Sequence, residues 1–177
     1  MVPNPKEVQT AGKTLEGELH LQDILLRVGL LNYSWTNTES LLIHLIAGLA
    51  PVKMQVATVI FLTLNTTRAR LDLVERLAKL DTTSKALAGE ILSITRDLAK
   101  YSALRNRYNH CIYSFDKDGT SPTSIQMRIS DRKDEIRFGR TQSINAAEIS
   151  MIDTSITEIQ NLNRYIWATI VKYGFPS

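Results

Sequence analysis

Three residues whose types suit phosphate chemistry lie close together in the chain, at Arg105, Asn106 and His110. They follow apolar residues that recur at spacings of four, three, four and three, a pattern typical of one buried helix face: Leu87, Ile91, Ile94, Leu98 and Tyr101. Since each helical residue turns by about 100°, Arg105 falls in the middle of that face, and Asn106 and His110 are neighbours one turn apart. A guanidinium there needs a carboxylate, a phosphate or water. Its planar fork suits phosphate oxygens, and an imidazole can act as acid or base.

A purely structural interpretation of Arg105 is equally open at this point. The arginine could pair with Glu39 or Asp72 and simply neutralise a charge at the helix end. Helix geometry alone does not separate the two interpretations.

The composition bounds the fold that must position these residues. A chain of 177 residues with 44% hydrophobic and 22% charged residues suits a single globular domain spanning 1–177. The one cysteine excludes an internal disulfide, and the net charge of +3 permits nucleic-acid binding without indicating it. The apolar stretch Leu41–Leu64 contains Pro51 and Lys53, so we expect buried helices there and no membrane span.

The spacing of apolar residues predicts a mainly helical bundle of four to five helices, with one β-hairpin inserted before the last helix. We expect a flexible segment over 1–14, a helix over about 15–31, and a break over 32–37. A helix capped by Thr36 or Thr38 should end near Leu49, and the next should cover about 52–80. The helix that carries Arg105 should begin after a cap at Ser84 and end at 109 or 110, and the last should cover about 144–173.

The hairpin is predicted over 123–140, after a loop at 115–120. Its apolar residues alternate with polar ones on either side of a polar turn at 131–134, which predicts one buried face: Ile125, Met127, Ile129, Ile136 and Phe138.

The segment from Leu104 to His110 resembles the R-x4-6-H signature of the HEPN superfamily, whose members are helical bundles with this signature at the end of a later helix. The stretch from Ala69 to Asp72 lies some 35 residues before the signature. This arrangement resembles the HEPN subgroup in which the histidine is followed by glycine, any residue and an aromatic residue. Tyr113 matches the aromatic, and Cys111 stands where the glycine is usual. Some HEPN toxins carry a modified tyrosine at the position of Ile112, so we do not expect that regulation here.

The resemblance implies a metal-independent endoribonuclease, and a toxin or antiphage effector is one setting for it. We expect no cofactor and a cytoplasmic protein. In that reaction the 2′-hydroxyl of RNA attacks the adjacent phosphorus, His110 serves as acid or base, and Arg105 stabilises the developing charge. Asn106 would orient the imidazole. HEPN proteins dimerise so that two such pairs share one cleft, and Leu41–Leu64 could supply part of that interface or only an intramolecular core.

Four further arginines are candidate RNA contacts: Arg107, Arg128, Arg137 and Arg140. Acidic neighbours dilute the charge of the hairpin, so a solvated surface is the competing interpretation.

Two other functions stay open on the sequence. One is a non-catalytic HEPN module that binds RNA or a nucleotide, or scaffolds a protein partner such as an antitoxin, since Cys111 departs from the signature. The other is a helical oligomerisation protein in which Arg105 is only an ion-pair residue.

Overall fold

The computed structural model describes the backbone of residues 5–115, 122–126, 130–132, 134–137, 139 and 141–177. Side chains are described for 22–114, 122–126, 134, 136, 139 and 141–177. The helices in these ranges are α1 (Pro5–Glu39), α2 (Leu42–Leu49), α3 (Met54–Thr63), α4 (Thr67–Ala78), α5 (Lys85–Asn109) and α6 (Ala146–Lys172). The strands are β1 (Cys111–Phe115), β2 (Pro122–Gln126), β3 (Ser130–Arg132), β4 (Glu135–Arg137) and β5 (Thr141–Ser143). The prediction of a mainly helical fold with a β-hairpin before the last helix is confirmed.

Helix α1 continues through the predicted break at 32–37, so that prediction is wrong. Leu31, Trp35 and Thr38 are all buried, and their spacing of four and three continues the inward face of one helix. Of the polar residues that suggested a loop, Thr36 and Asn37 lie on its exposed side. The helix also includes residues 5–14, which the sequence placed in a flexible segment; it begins at Pro5, a residue that suits a first helical position.

The helix predicted over about 52–80 is two helices, α3 and α4. Leu64 and Thr66 are extended, and the Thr66 hydroxyl accepts a hydrogen bond from the backbone nitrogen of Ala69. The Arg70 guanidinium donates to the carbonyls of Phe61 and Leu64, at 3.2 and 3.0 Å, which satisfies backbone groups freed by the interruption. The predicted threonine cap of α2 is also wrong, because Leu41 holds that position and Thr38 lies inside α1.

The apolar stretch Leu41–Leu64 divides into a buried and an exposed half. In α2, Leu42, Leu45 and Ile46 have no exposed surface. In α3, Val59 and Leu62 are 64% and 65% exposed, and Val56 is also exposed. The segment therefore supplies core from one helix and an apolar surface from the next.

A small antiparallel sheet has the order β1-β2-β5, and β3 pairs with β4 in a separate hairpin. The turn predicted at 131–134 lies between β3 and β4, but β2 pairs with β1 and β5, with Ile125 opposite Ile112 and Thr141. Strand β1 was not predicted. Ile136 is 57% exposed, so the expected buried face is wrong at that residue, and Met127, Ile129 and Phe138 lie outside the described residues. Residues 116–120 of the expected loop also lie outside them.

Helix α6 confirms the prediction for the last helix to within two residues at its start. Its inward residues share full or nearly full burial: Ile152, Ile156, Ile159, Ile166 and Ile170. At its end Gly174 has φ 63°, and the backbone nitrogens of Gly174 and Phe175 donate to the carbonyls of Val171 and Ile170. This Schellman motif needs a left-handed residue, which explains the glycine.

The chain forms two compact units: Met1–Leu31 with Asn106–Thr154, and Asn32–Arg105 with Ser155–Ser177. The boundaries fall within α1, α5 and α6. Among the described residues, no helix combines the length and the apolar character that crossing a membrane would require.

Candidate active site at the end of α5

Helix α5 carries the candidate residues in and just after its last turn. It begins after Ser84, whose hydroxyl accepts from the backbone nitrogen of Leu87 at 3.3 Å, as predicted. Asn106 lies in the last turn, and the backbone nitrogen of His110 donates to the Asn106 carbonyl at 3.1 Å. Asn106 and His110 are both exposed, so the amide and the imidazole lie one turn apart at a surface that a ligand can reach.

Arg105 is half-buried, in keeping with its position in the apolar face of α5. Its guanidinium carbon lies 5.6 Å from the ring centroid of the fully buried Trp35, a distance at which the ring quadrupole attracts a cation. The Trp35 ring therefore holds the charged end of the Arg105 side chain.

The structure gives other partners to the two carboxylates that the sequence offered to Arg105. Glu39 is buried, forms an ion pair with Arg70 at 3.2 Å and accepts a hydrogen bond from the Thr67 hydroxyl at 2.5 Å. Asp72 pairs with Arg68 at 2.9 Å. Both acids thus have partners on α4.

The chain leaves α5 without the glycine that usually follows the histidine in the HEPN subgroup it resembles; Cys111 is at that position. No non-glycine residue in the described ranges has a positive φ, so the left-handed cap is not used here. Instead, two side chains donate to the Tyr108 carbonyl: Cys111 through Sγ at 3.1 Å and Tyr113 through its hydroxyl at 2.8 Å. These donors satisfy a carbonyl of the last turn, which would otherwise lack a partner.

A cluster around Glu148 anchors the residues between Asn106 and His110. One oxygen of Glu148 accepts from Arg107 Nη2 at 2.6 Å, and the other accepts from the Tyr108 hydroxyl at 2.7 Å. Gln142 of β5 accepts from the same Arg107 nitrogen at 2.9 Å. Glu148 is itself fixed in the first turn of α6, since its backbone nitrogen donates to the Asn145 side chain at 3.1 Å. We call Arg107, Tyr108, Gln142 and Glu148 the Glu148 cluster.

The tyrosines around this helix end remain protonated donors far into the alkaline range. Burial, and then the hydrogen bond to Glu148, raise the pKa of Tyr108 well above its ordinary value. Burial, and then the interaction with Cys111, raise the pKa of Tyr113 in the same direction. Both contacts are therefore intact at neutral pH.

The structure separates the four candidate RNA contacts. Arg107 is held inside the Glu148 cluster, and its charge is neutralised by Glu148. Arg128 and Arg140 lie outside the described residues, and only the backbone of Arg137, in β4, is described. RNA contacts by these three stay predictions.

The sequence did not indicate the cluster, although part of its signal was present. An asparagine followed three residues later by a glutamate is typical of a helix start, which places Glu148 in a first turn. Nothing in the sequence pairs that glutamate with Arg107, which is 41 residues away along the chain. Within the described residues, no group of three or more histidine, cysteine or acidic side chains is arranged to hold a metal ion.

No family model, curated protein or solved structure matches this chain. The function must therefore be inferred from the chain's own residues.

Proposed function

We propose that the chain is a metal-independent endoribonuclease of the HEPN type. The observation that carries the proposal is the end of α5, where Asn106 and His110 are exposed one turn apart and the intervening Arg107 and Tyr108 are tied to Glu148. Reactive side chains on a rigid, anchored element are what a preorganised site requires.

Each residue has one role in the proposed reaction. His110 takes the proton from the 2′-hydroxyl, or returns one to the leaving 5′-oxygen. Arg105 stabilises the negative charge that develops on the phosphorane. Asn106 orients the imidazole. The products are a 2′,3′-cyclic phosphate and a free 5′-hydroxyl.

The reaction needs both an acid and a base, and a homodimer would supply two copies of His110. The surface of α3 supports self-association, because Val56, Val59 and Leu62 are large, apolar and exposed on one short helix. A cavity of about 480 Å³ lies beside them, between α3 and α4, and adds further apolar lining. In the proposed setting the dimer is a cytoplasmic toxin or antiphage effector, and an antitoxin would be its protein partner.

The test is RNA cleavage in EDTA by the wild type and three variants. His110→Ala should lower kcat by a factor of roughly 10²–10⁴, the usual cost of losing a general acid or base, and Arg105→Ala should do the same or more. Arg96→Ala is the matched control, since Arg96 is exposed on the same helix outside the signature. Circular dichroism checks the fold of each variant.

Two results would contradict the proposal. One is cleavage that persists in both His110→Ala and Arg105→Ala, which would place the chemistry elsewhere or in a contaminant. The other is RNA binding without cleavage by the wild type, which would favour the non-catalytic module.

A further inference from the structure

A polar cleft lies between the C-terminal part of α1 and the middle of α6, within the unit formed by Asn32–Arg105 and Ser155–Ser177. Its lining consists almost wholly of side chains that donate and accept hydrogen bonds: Tyr33, Ser34, Asn37, Thr38, Gln160, Asn163 and Arg164. The sequence placed the α1 residues in a loop. The helix that replaces the loop sets Tyr33 and Asn37 one turn apart on its exposed face.

The floor of the cleft is fixed by a buried hydrogen-bond chain. The Asn163 amide nitrogen donates to the Thr38 hydroxyl at 3.2 Å, and that hydroxyl donates to the Ser34 carbonyl at 2.7 Å. Thr38 has no exposed surface. Because one amide hydrogen of Asn163 is used in this chain, the orientation of its amide is set and its oxygen is directed away from Thr38.

The walls carry groups of three kinds. Asn37 and Gln160 are exposed amides, each with two donor hydrogens and an acceptor oxygen. Tyr33 is 69% exposed and presents an aromatic face at the rim. Arg164, held by Asn161 at 2.5 Å, adds a cation.

The size of the cleft limits its ligand. Its volume of about 180 Å³ is roughly that of six water molecules at about 30 Å³ each. It falls below the range of about 300–1,000 Å³ that is usual for drug-sized ligands. One planar heterocycle fits this space, whereas a base pair does not.

The chemistry of the lining separates the remaining ligand classes. Side-chain amides match the alternating donors and acceptors on the edge of a nucleobase, and an aromatic ring offers a stacking face to any base. The arginine favours an anionic ligand such as a nucleotide over a neutral sugar or alcohol. None of the residues that line this cleft in the described structure is acidic, so the lining itself carries no negative charge to repel a phosphate.

We propose that this cleft binds one unpaired base of single-stranded RNA, with the base on Tyr33, its edge on the amides and its phosphate near Arg164. The inference that the RNA is a substrate rests on the proposed ribonuclease function, whereas base binding by the cleft does not. The cleft would then select which unpaired nucleotide the protein holds.

The experiment measures binding of short fluorescent homopolymers of A, C and U to the His110→Ala protein, so that cleavage does not interfere. Tyr33→Ala should weaken binding by roughly 5- to 140-fold, because a stacked base contributes about 1–3 kcal/mol and about 1.4 kcal/mol corresponds to a factor of ten. Tyr33→Phe should retain most of the affinity, since it keeps the ring. Gln160→Ala should reduce the preference among the three homopolymers.

Two matched controls lie outside the cleft. Tyr165→Ala removes an exposed aromatic from the same helix α6, and Gln55→Ala removes an exposed amide from α3. Both should bind like the parent protein. Amide side-chain NMR signals of Asn37 and Gln160 should shift when AMP, CMP or UMP is added.

The outcomes distinguish this inference from the proposed function. Unchanged binding in Tyr33→Ala and Gln160→Ala, with no NMR shifts, overturns the base site even if the wild type cleaves RNA. Weakened binding in Tyr33→Ala but not in Tyr165→Ala supports the base site. This holds even if the wild type cleaves no RNA, because that result would contradict only the ribonuclease function.

Discussion

Replacing Glu148 tests whether the end of α5 is anchored as described. Glu148→Ala removes the acceptor of both Arg107 and Tyr108. The variant leaves the Arg107 guanidinium without its counter-ion and the buried Tyr108 hydroxyl without its acceptor. Glu148→Gln keeps one acceptor oxygen and replaces the other with an NH2 donor, so it removes the charge and one of the two hydrogen bonds. The two variants therefore separate the loss of both contacts from the loss of one contact and the charge.

The expected cost follows from the two contacts. A hydrogen bond to a charged group contributes about 1.5–3 kcal/mol, and both contacts are of this kind because the Glu148 carboxylate accepts them. The side chains of Arg107 and Glu148 are 27% and 16% exposed, so water partly replaces the lost bonds and the lower part of the range applies. We expect about 3 kcal/mol for Glu148→Ala and about half of that for Glu148→Gln. For a chain of this length, about 3 kcal/mol lowers Tm by roughly 6–12 °C.

The assay is urea denaturation followed by circular dichroism, with RNA cleavage measured on the same preparations. Glu75→Ala is the control, because Glu75 pairs with Lys79 only at 4.0 Å on the surface of α4 and should change stability by less than about 0.5 kcal/mol. Cleavage by Glu148→Ala should fall even where the variant is fully folded. Losses below about 0.5 kcal/mol in both Glu148 variants would refute the anchoring role.

Three further predictions concern stability, pH and assembly. Arg70→Met should lower the free energy of unfolding by about 3 kcal/mol, because it removes the counter-ion of the buried Glu39. A urea midpoint close to that of the wild type would contradict this. Burial and then the hydrogen bond to Glu158 raise the pKa of Tyr101 to about 12. The contribution of Tyr101 to the free energy of unfolding is therefore complete below about pH 10 and is lost as the pH rises through 12. Tyr101→Phe should flatten the fall in stability over that range, and an unchanged slope would contradict it. Leu62→Asp should convert a dimer into a folded monomer by light scattering, whereas a wild type that is already monomeric would exclude the α3 interface.

The sequence predicted the helices whose apolar spacing is uninterrupted. In α5 and α6 the inward residues recur regularly and the ends carry local signals, such as Ser84 before α5 and Gly174 after α6. Both the element and its bounds then follow from information within a few residues of each position.

The errors arose where distant contacts decide the conformation. The break between α3 and α4 is stabilised by Arg70, which bonds carbonyls six and nine residues away and a carboxylate from α1. Trp35 is buried within a run of polar residues that would suit a loop. Strand β1 depends on pairing with β2, and no local signal distinguishes Cys111–Phe115 from an irregular exit.

The candidate site was predicted only in part, because some of its contacts are local and others are distant. The positions of Asn106 and His110 relative to one another follow from helix geometry alone. The use of Cys111, Tyr113 and Glu148 around Tyr108 could not be predicted, since those contacts depend on how the sheet and α6 pack.

The exit from α5 has a consequence for how this protein can change over time. A glycine cap depends on one backbone angle that other residues rarely adopt, so a single substitution of that glycine disrupts the turn. Here the direction of the chain after Asn109 is set by two side-chain donors of different strength, a thiol and a phenol. A substitution at either position leaves the other donor in place, so the exit from α5 can change one contact at a time.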